Sequence, residues 1–223
     1  MNNDFLGKLQ FLLSLIVKNK KLNVFYNLHK ETPDYTGLLD WSRNGYSVPC
    51  PQFVKEKVFK KFNLSNSTWI ETGTFHGTST AYLASIATNV ITLEPVVDLY
   101  EDARVKLGNL KNITFINKSS EDGIEEAINS ISDNTNVCFW LDGHYSEGNT
   151  FLGEKHSPIE FELEVIEKHL KRFNNVSVLV DDFRLFQVYE SDKIYPNKFF
   201  LVDWAKKNKL DFEIESDIFI LKK

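Results

Sequence analysis

From Thr68 onward the chain alternates between short apolar runs and helical stretches. "TWIET", "NVITLEP", "ITFINKS", "NVCFWLDG" and "VSVLVDD" are followed in turn by "STAYLASIA", "VDLYEDARVKLGN", "GIEEAINSI", "SPIEFELEVIEKHLKRF" and "NKFFLVDWAKKN". Parallel strands cannot be joined by a tight turn, so a helix crossing back over the sheet after each strand is the economical solution. Near-continuous apolar runs also mark strands covered on both faces. The end of the chain breaks the alternation: "DFEIESDIFILKK" places two apolar-rich stretches around Glu215, Ser216 and Asp217 and reads as a hairpin, so the last strand runs antiparallel. The expected fold is α/β: a doubly wound, Rossmann-like, seven-stranded mixed sheet with an antiparallel last strand and helices on both faces.

A chain of 223 residues supports one good-sized core. We divide it into residues 1–51, an N-terminal helix and aromatic loop serving as cap or oligomer contact, and residues 52–223, the sheet domain. In the N-terminal helix Gly7, Gln10, Ser14 and Lys18 share a narrow polar face, and the remaining surface is Phe, Leu, Ile and Val. That apolar surface must be covered by the protein's own core, by a second subunit in a homodimer, or by shallow insertion as a peripheral membrane contact helped by Lys18, Lys20 and Lys21. The stretch is too short to span a bilayer and lacks the flanks of a secretory leader, so a cytoplasmic location is expected. "PDYTGLLDWSRNGYSVPCP" has little periodicity and is expected to be an ordered loop, whereas "PQFVKEKVFKKF" reads as an amphipathic helix. Cys50 and Cys138 suggest no disulfide framework. A formal charge of −5 argues against nucleic acid as a partner and favours a small-molecule or glycan acceptor.

In a doubly wound sheet the ligand sits beyond the carboxyl ends of the strands, commonly beside the first turn. That turn is "ETGTFHGTST". Gly73 and Gly77 offer a backbone that a ligand can approach, and Thr78, Ser79 and Thr80 lie at or near a helix N-terminus whose free N–H groups favour negative charge. Glu71 disfavours a diphosphate here and favours a ligand with a positive group such as an α-ammonium. The spacing E-x-G-x-x-x-G, with Thr74 and Phe75 after the first glycine, departs from the dinucleotide fingerprint. Glu94 closes the second strand some 20 residues beyond Gly73, where an acidic side chain commonly holds paired ribose hydroxyls. Ser119 and Ser120 follow the third strand; they could meet an adenine edge or cap a helix.

With these residues in place the sequence resembles the class I S-adenosylmethionine (SAM)-dependent methyltransferases over roughly residues 52–223. "ETGTFHGTST" looks like the turn of the metal-dependent macrocin and novobiocin type of sugar O-methyltransferase. The resemblance implies SAM bound by Glu71, Gly73, Thr74, Phe75, Gly77, Thr78, Ser79, Glu94, Ser119, Ser120 and Asp142. It also implies Mg²⁺ held by Asp142, Asp181 and Asp182, which end the fourth and fifth strands, an oxygen-only donor set suited to that ion. His144 stands where the family places a base, and imidazole chemistry suits that role. The connection from Asp142 to Asp181 is longer than the family's usual one, which puts the lid and acceptor pocket in doubt. His76 and Arg184 are weaker site candidates, and Trp41 and Tyr46 could cover an acceptor or simply wrap the sheet. His29, His156 and His169 lack the partners of a zinc site.

The expected function is Mg-assisted O-methylation of a hydroxyl on a sugar, glycan or small metabolite. Two rivals are a nucleotide-dependent sugar-modifying enzyme of Rossmann type and a non-catalytic, methyltransferase-like binding module. The first would need a Tyr-x-x-x-Lys pair and a Gly-rich diphosphate turn, and neither is in position. The intact acidic positions count against the second.

Overall fold

The computed structural model describes residues 35–143, 157–186 and 195–223. The elements are α1 (Tyr35–Arg43), α2 (Gln52–Phe62), β1 (Ser67–Thr72), α3 (Thr78–Ile86), β2 (Asn89–Leu93), α4 (Val97–Leu107), β3 (Ile113–Ile116) and α5 (Ser120–Asn129). They continue with β4 (Asn136–Leu141), α6 (Ile159–His169), β5 (Asn175–Val180), α7 (Lys198–Asn208), β6 (Asp211–Glu215) and β7 (Ile218–Lys222). The strands form one sheet in the order β3-β2-β1-β4-β5-β7-β6. β7 alone is reversed: it pairs antiparallel with both β5 and β6, and the other pairs are parallel. The strand order reverses at β1, which creates the crevice beside the turn that follows it.

Alternation along each strand builds a core on either side. Trp69, Val90, Cys138, Trp140, Leu179, Ile218 and Ile220 pack with Val58, Phe59 and Phe62 of α2 and Leu83 of α3. Ile70, Ile91, Val137, Phe139, Val178, Phe219 and Leu221 face Ile124 and Ile128 of α5, Leu163 and Ile166 of α6, and Leu201 and Trp204 of α7. The hairpin turn is Ser216–Asp217, both at positive φ (54° and 68°), the twist that a two-residue hairpin requires. Both cysteines are free and buried.

One segment differs from its sequence reading. "PDYTGLLDWSRNGYSVPCP" contains a nine-residue helix, α1, rather than an uninterrupted loop. Trp41 supplies the reason: it is buried, its Nε1–H donates to Val48 O at 3.1 Å, and its ring meets Tyr46 edge to face at 4.9 Å. Gly45 and Tyr46, both at φ 61°, reverse the chain after α1 so that this contact closes. The amphipathic helix expected around Gly7–Lys18 lies outside the described residues. Among the described residues no helix is long and apolar enough to cross a membrane.

Candidate active site at the carboxyl rim

Register places the acidic groups. Thr72, Leu93, Leu141 and Val180 stand level across four parallel strands, so the residues that follow line the sheet's carboxyl edge. Backbone hydrogen bonds extend the ladder by one residue: Gly73 N–H to Leu93 O (3.0 Å), Glu94 N–H to Ile116 O (3.0 Å), Asp142 N–H to Thr72 O (3.2 Å) and Asp181 N–H to Leu141 O (3.1 Å). Glu94, Asp142 and Asp181 thereby take their places from the main chain.

On the β1–β2 side the polar groups are held locally. Glu71 is fully buried, and its Oε2 accepts from Thr80 Oγ1 (2.5 Å) and Thr92 Oγ1 (2.7 Å). Its Oε1 is buried with no hydrogen-bond partner among the described residues. Burial pushes the Glu71 carboxyl up to about 8, and the two threonine hydroxyls pull it back only in part. Thr74 is tied to Thr92, hydroxyl to hydroxyl, at 2.6 Å. Glu94 receives Phe75 N–H on Oε2 (2.8 Å) and Val96 N–H on Oε1 (3.0 Å), which leaves a lone pair on each oxygen for a further donor.

Phe75, at φ 49° and exposed, meets the His76 ring at 4.0 Å in a tilted contact, and His76 Nδ1 lies 3.6 Å from Asp102. The two glycines of the turn are also needed by the protein's own packing. A Cβ on Gly73 (φ 85°) would lie 2.7 Å from the Asp142 carbonyl oxygen, and one on Gly77 (φ 76°) 2.8 Å from Leu107 Cδ1. Both therefore permit packing of the protein on itself. Ser119 caps α5, its Oγ accepting from Asp122 N–H at 3.3 Å. Ser120 Oγ lies 3.3 Å from Glu121, Thr78 opens α3 exposed to solvent, and Ser79 Oγ lies 3.4 Å from the Gln52 amide of α2.

On the β4–β5 side the structure brings together Asp142, Asp181 and Asp182, each offering an oxygen within 4.8 Å of the others. Distant side chains balance them. Lys55 of α2 is ion-paired with Asp181 and lies 3.7 Å from Asp142. Arg184 bridges Asp182 to Asp217 in the β6–β7 turn, and Asp217 also caps Arg184 N–H at 2.7 Å. Asp182 itself sits at φ 53°, an uncommon conformation that Asp tolerates better than most residues.

Among the described residues, Lys55 and Arg184 thus face four carboxylates, those of Asp142, Asp181, Asp182 and Asp217. Burial and neighbouring Asp142 push the Asp181 carboxyl up, against the pull of Lys55. Burial works against the charge on Lys55, yet Asp142 and Asp181 outweigh it and keep the ammonium charged well above its usual range. Asp181 Oδ1 is buried with no hydrogen-bond partner among the described residues. Beside it is a cavity of about 10 Å³ lined by Gly143, Ser157, Glu162, Phe186 and Tyr195, room for about one water. Hard oxygen donors that converge and an unsatisfied buried oxygen fit Mg²⁺.

Sequence reasoning missed the roles of Lys55, Thr80, Thr92 and Asp217. Lys55 carried one usable signal: it stands one helical turn before Phe59, on the stripe that α2 buries. His144 lies outside the described residues, as do His29 and His156. His169 is tied to Arg172 at 3.1 Å, away from the rim.

By sequence, the chain matches no protein-family model and no curated protein. By structure it is similar to a candidate rRNA methylase from Clostridium thermocellum (TM-score 0.51, 16% identity, 78% of this chain and 97% of that one). Looser likenesses are to a candidate methyltransferase from Streptococcus mutans in complex with SAH (0.49, 17%, 78% and 97%) and a SAM-dependent methyltransferase from Aquifex aeolicus (0.45, 19%, 75% and 87%). The strand order, the reversed β7 and the Clostridium likeness give this chain a Rossmann-like methyltransferase fold.

Proposed function

We propose that the protein is a SAM-dependent methyltransferase that methylates a hydroxyl on a sugar, glycan or small metabolite with the help of Mg²⁺. The observation that carries this reading is the division of one rim into two acidic groups, Glu71 with Glu94 and Asp142 with Asp181 and Asp182. SAM supplies a methyl group already activated on a sulfonium. Glu94, with a lone pair left on each oxygen, is suited to accept two ribose hydroxyls, and the bare Glu71 Oε1 is suited to a cationic or N–H donor group. The N-terminus of α3 adds a positive dipole end for a carboxylate.

Asp142, Asp181 and Asp182 would hold Mg²⁺, which supplies Lewis acidity toward an acceptor hydroxyl. His144, two residues beyond Asp142, is proposed to receive the acceptor's proton. The formal charge of −5 counts against an RNA acceptor.

Calorimetric titration with S-adenosylhomocysteine tests the cofactor assignment. Micromolar binding, weakened at least tenfold by Glu94→Ala, is expected. Absence of any heat with the folded wild-type protein would overturn the assignment. Methyl transfer to hydroxyl acceptors that stops in chelator and resumes with Mg²⁺ tests the remainder.

A further inference from the structure

We infer that Lys55 is a tethered counter-ion of the carboxylate cluster, and that its ammonium and a divalent cation compete for Asp142 and Asp181. The inference rests on the metal assignment proposed above and adds a partner from outside the rim. Lys55 approaches from α2, the helix packed on the sheet face that carries Trp69 and Trp140. Its side chain is 12% exposed, and its Nζ lies over the Trp140 ring at 5.3 Å while reaching Asp181 and Asp142. The carboxylate oxygens it contacts belong to two of the three groups that converge within 4.8 Å.

A metal bound to Asp142 and Asp181 would share those oxygens with the ammonium. Two cations sharing the same carboxylates would repel strongly in a site shielded from water, because Coulomb energy grows as the local dielectric falls. Arg184 is directed at Asp182 and Asp217 instead, so it holds the cluster's outer edge and does not contest the pair that Lys55 contacts. With no metal present, Lys55 keeps Asp181 from standing as a buried, uncompensated charge. Metal binding releases Lys55 toward solvent, and with it one anchor of the first turn of α2.

The test is titration of the wild-type protein, Lys55→Met and Lys55→Arg with Mn²⁺ alone, read by calorimetry and by the electron paramagnetic resonance of free Mn²⁺. The expected result is affinity at least tenfold tighter in Lys55→Met and unchanged or weaker in Lys55→Arg. Equal or weaker affinity in Lys55→Met, with the wild type still binding, overturns the competition and leaves the metal assignment standing. No binding by any of the three proteins overturns both. Should Lys55→Met fail to fold, the wild type carries the test alone: acetylation of Lys55 by an amine-reactive ester, mapped by mass spectrometry, should speed up at least fivefold when Mn²⁺ saturates the protein. An unchanged rate overturns the inference.

Discussion

The two halves of the rim hold their carboxylates by different means. Near β1 and β2 the partners are backbone N–H groups and threonine hydroxyls from within the same βαβ unit: Phe75 and Val96 on Glu94, Thr80 and Thr92 on Glu71. Near β4 and β5 the partners are charged side chains delivered from afar, Lys55 from α2 and Arg184 with the β6–β7 turn. The first arrangement is self-contained, because neutral donors fixed by the fold satisfy most of it. The second, among the described residues, is held by ion pairs from separate elements, so each partner depends on the placement of another part of the fold.

The joint between the halves should be the most fragile point. Gly73 belongs to the first half, but the atom that a Cβ there would strike is the carbonyl oxygen of Asp142 in the second, at 2.7 Å and from a backbone at φ 85°. Neither atom belongs to a flexible side chain that could swing aside. Gly73→Ala is therefore expected to lose about 4 kcal/mol of unfolding free energy, from left-handed strain and forced separation of β1 from β4. Urea denaturation measures this; a loss under about 1 kcal/mol would mean the two strand ends can part freely.

The ionic half should show strong coupling between its partners. Lys55→Met strands Asp181, whose side chain is 1% exposed, and should cost about 3 kcal/mol. Asp181→Asn alone should cost less, about 1–2 kcal/mol, because Asp142 still faces the buried ammonium at 3.7 Å. The double variant should recover most of the loss, because buried pairs fail chiefly when one member is left behind. A double-mutant cycle with simple additivity would show that Lys55 and Asp181 do not stabilise each other.

This contrast also sets how much was legible in the sequence. The strands, the crossover helices and the closing hairpin announce themselves because each is a local pattern of apolar spacing and turn residues. Glu71, Glu94, Asp142, Asp181 and Asp182 were legible for the same reason, since each sits at the end of a readable strand. Lys55 was not, because "QFVKEKVFKKF" also carries Lys57, Lys60 and Lys61, which are exposed, and only the tertiary fold distinguishes the lysine aimed at the rim. The helix α1 was hidden by Gly37 and by having, among its described side chains, a single buried apolar anchor, Trp41. The glycines were placed correctly in the turn, but what fills the space beside them is a neighbouring strand and helix, which local spacing cannot reveal.

The neutral half should respond to pH in a way the ionic half does not share. With its folded pKa pushed up to about 8 from 4.5 by burial, Glu71 binds its proton more tightly in the native state than in the unfolded chain. Its contribution to stability is therefore complete below pH 4.5 and is lost as pH rises toward 8. Glu71→Gln keeps an oxygen for Thr80 and Thr92 and abolishes the titration. Relative to this variant, the wild type should lose about 2 kcal/mol between pH 6 and pH 8. Parallel stability curves for the two proteins would place Glu71 in a wetter, more permissive setting than its complete burial indicates.

The smallest expected effect is the sharpest test of where the neutral half ends. Ser119 caps α5 through Asp122 N–H, so Ser119→Ala should cost about 1 kcal/mol of stability. If the hydroxyl does nothing else, affinity for S-adenosylhomocysteine will be unchanged in the folded variant, and the cofactor half of the rim stops at Glu94. If Ser119 also touches the ligand, affinity will fall by about fivefold or more, since removing a hydrogen-bonding partner in a desolvated contact costs about 1 kcal/mol beyond the lost cap. Measuring stability and binding on the same sample separates the two roles, because the cap acts on the fold with or without ligand, whereas a contact registers only in the titration.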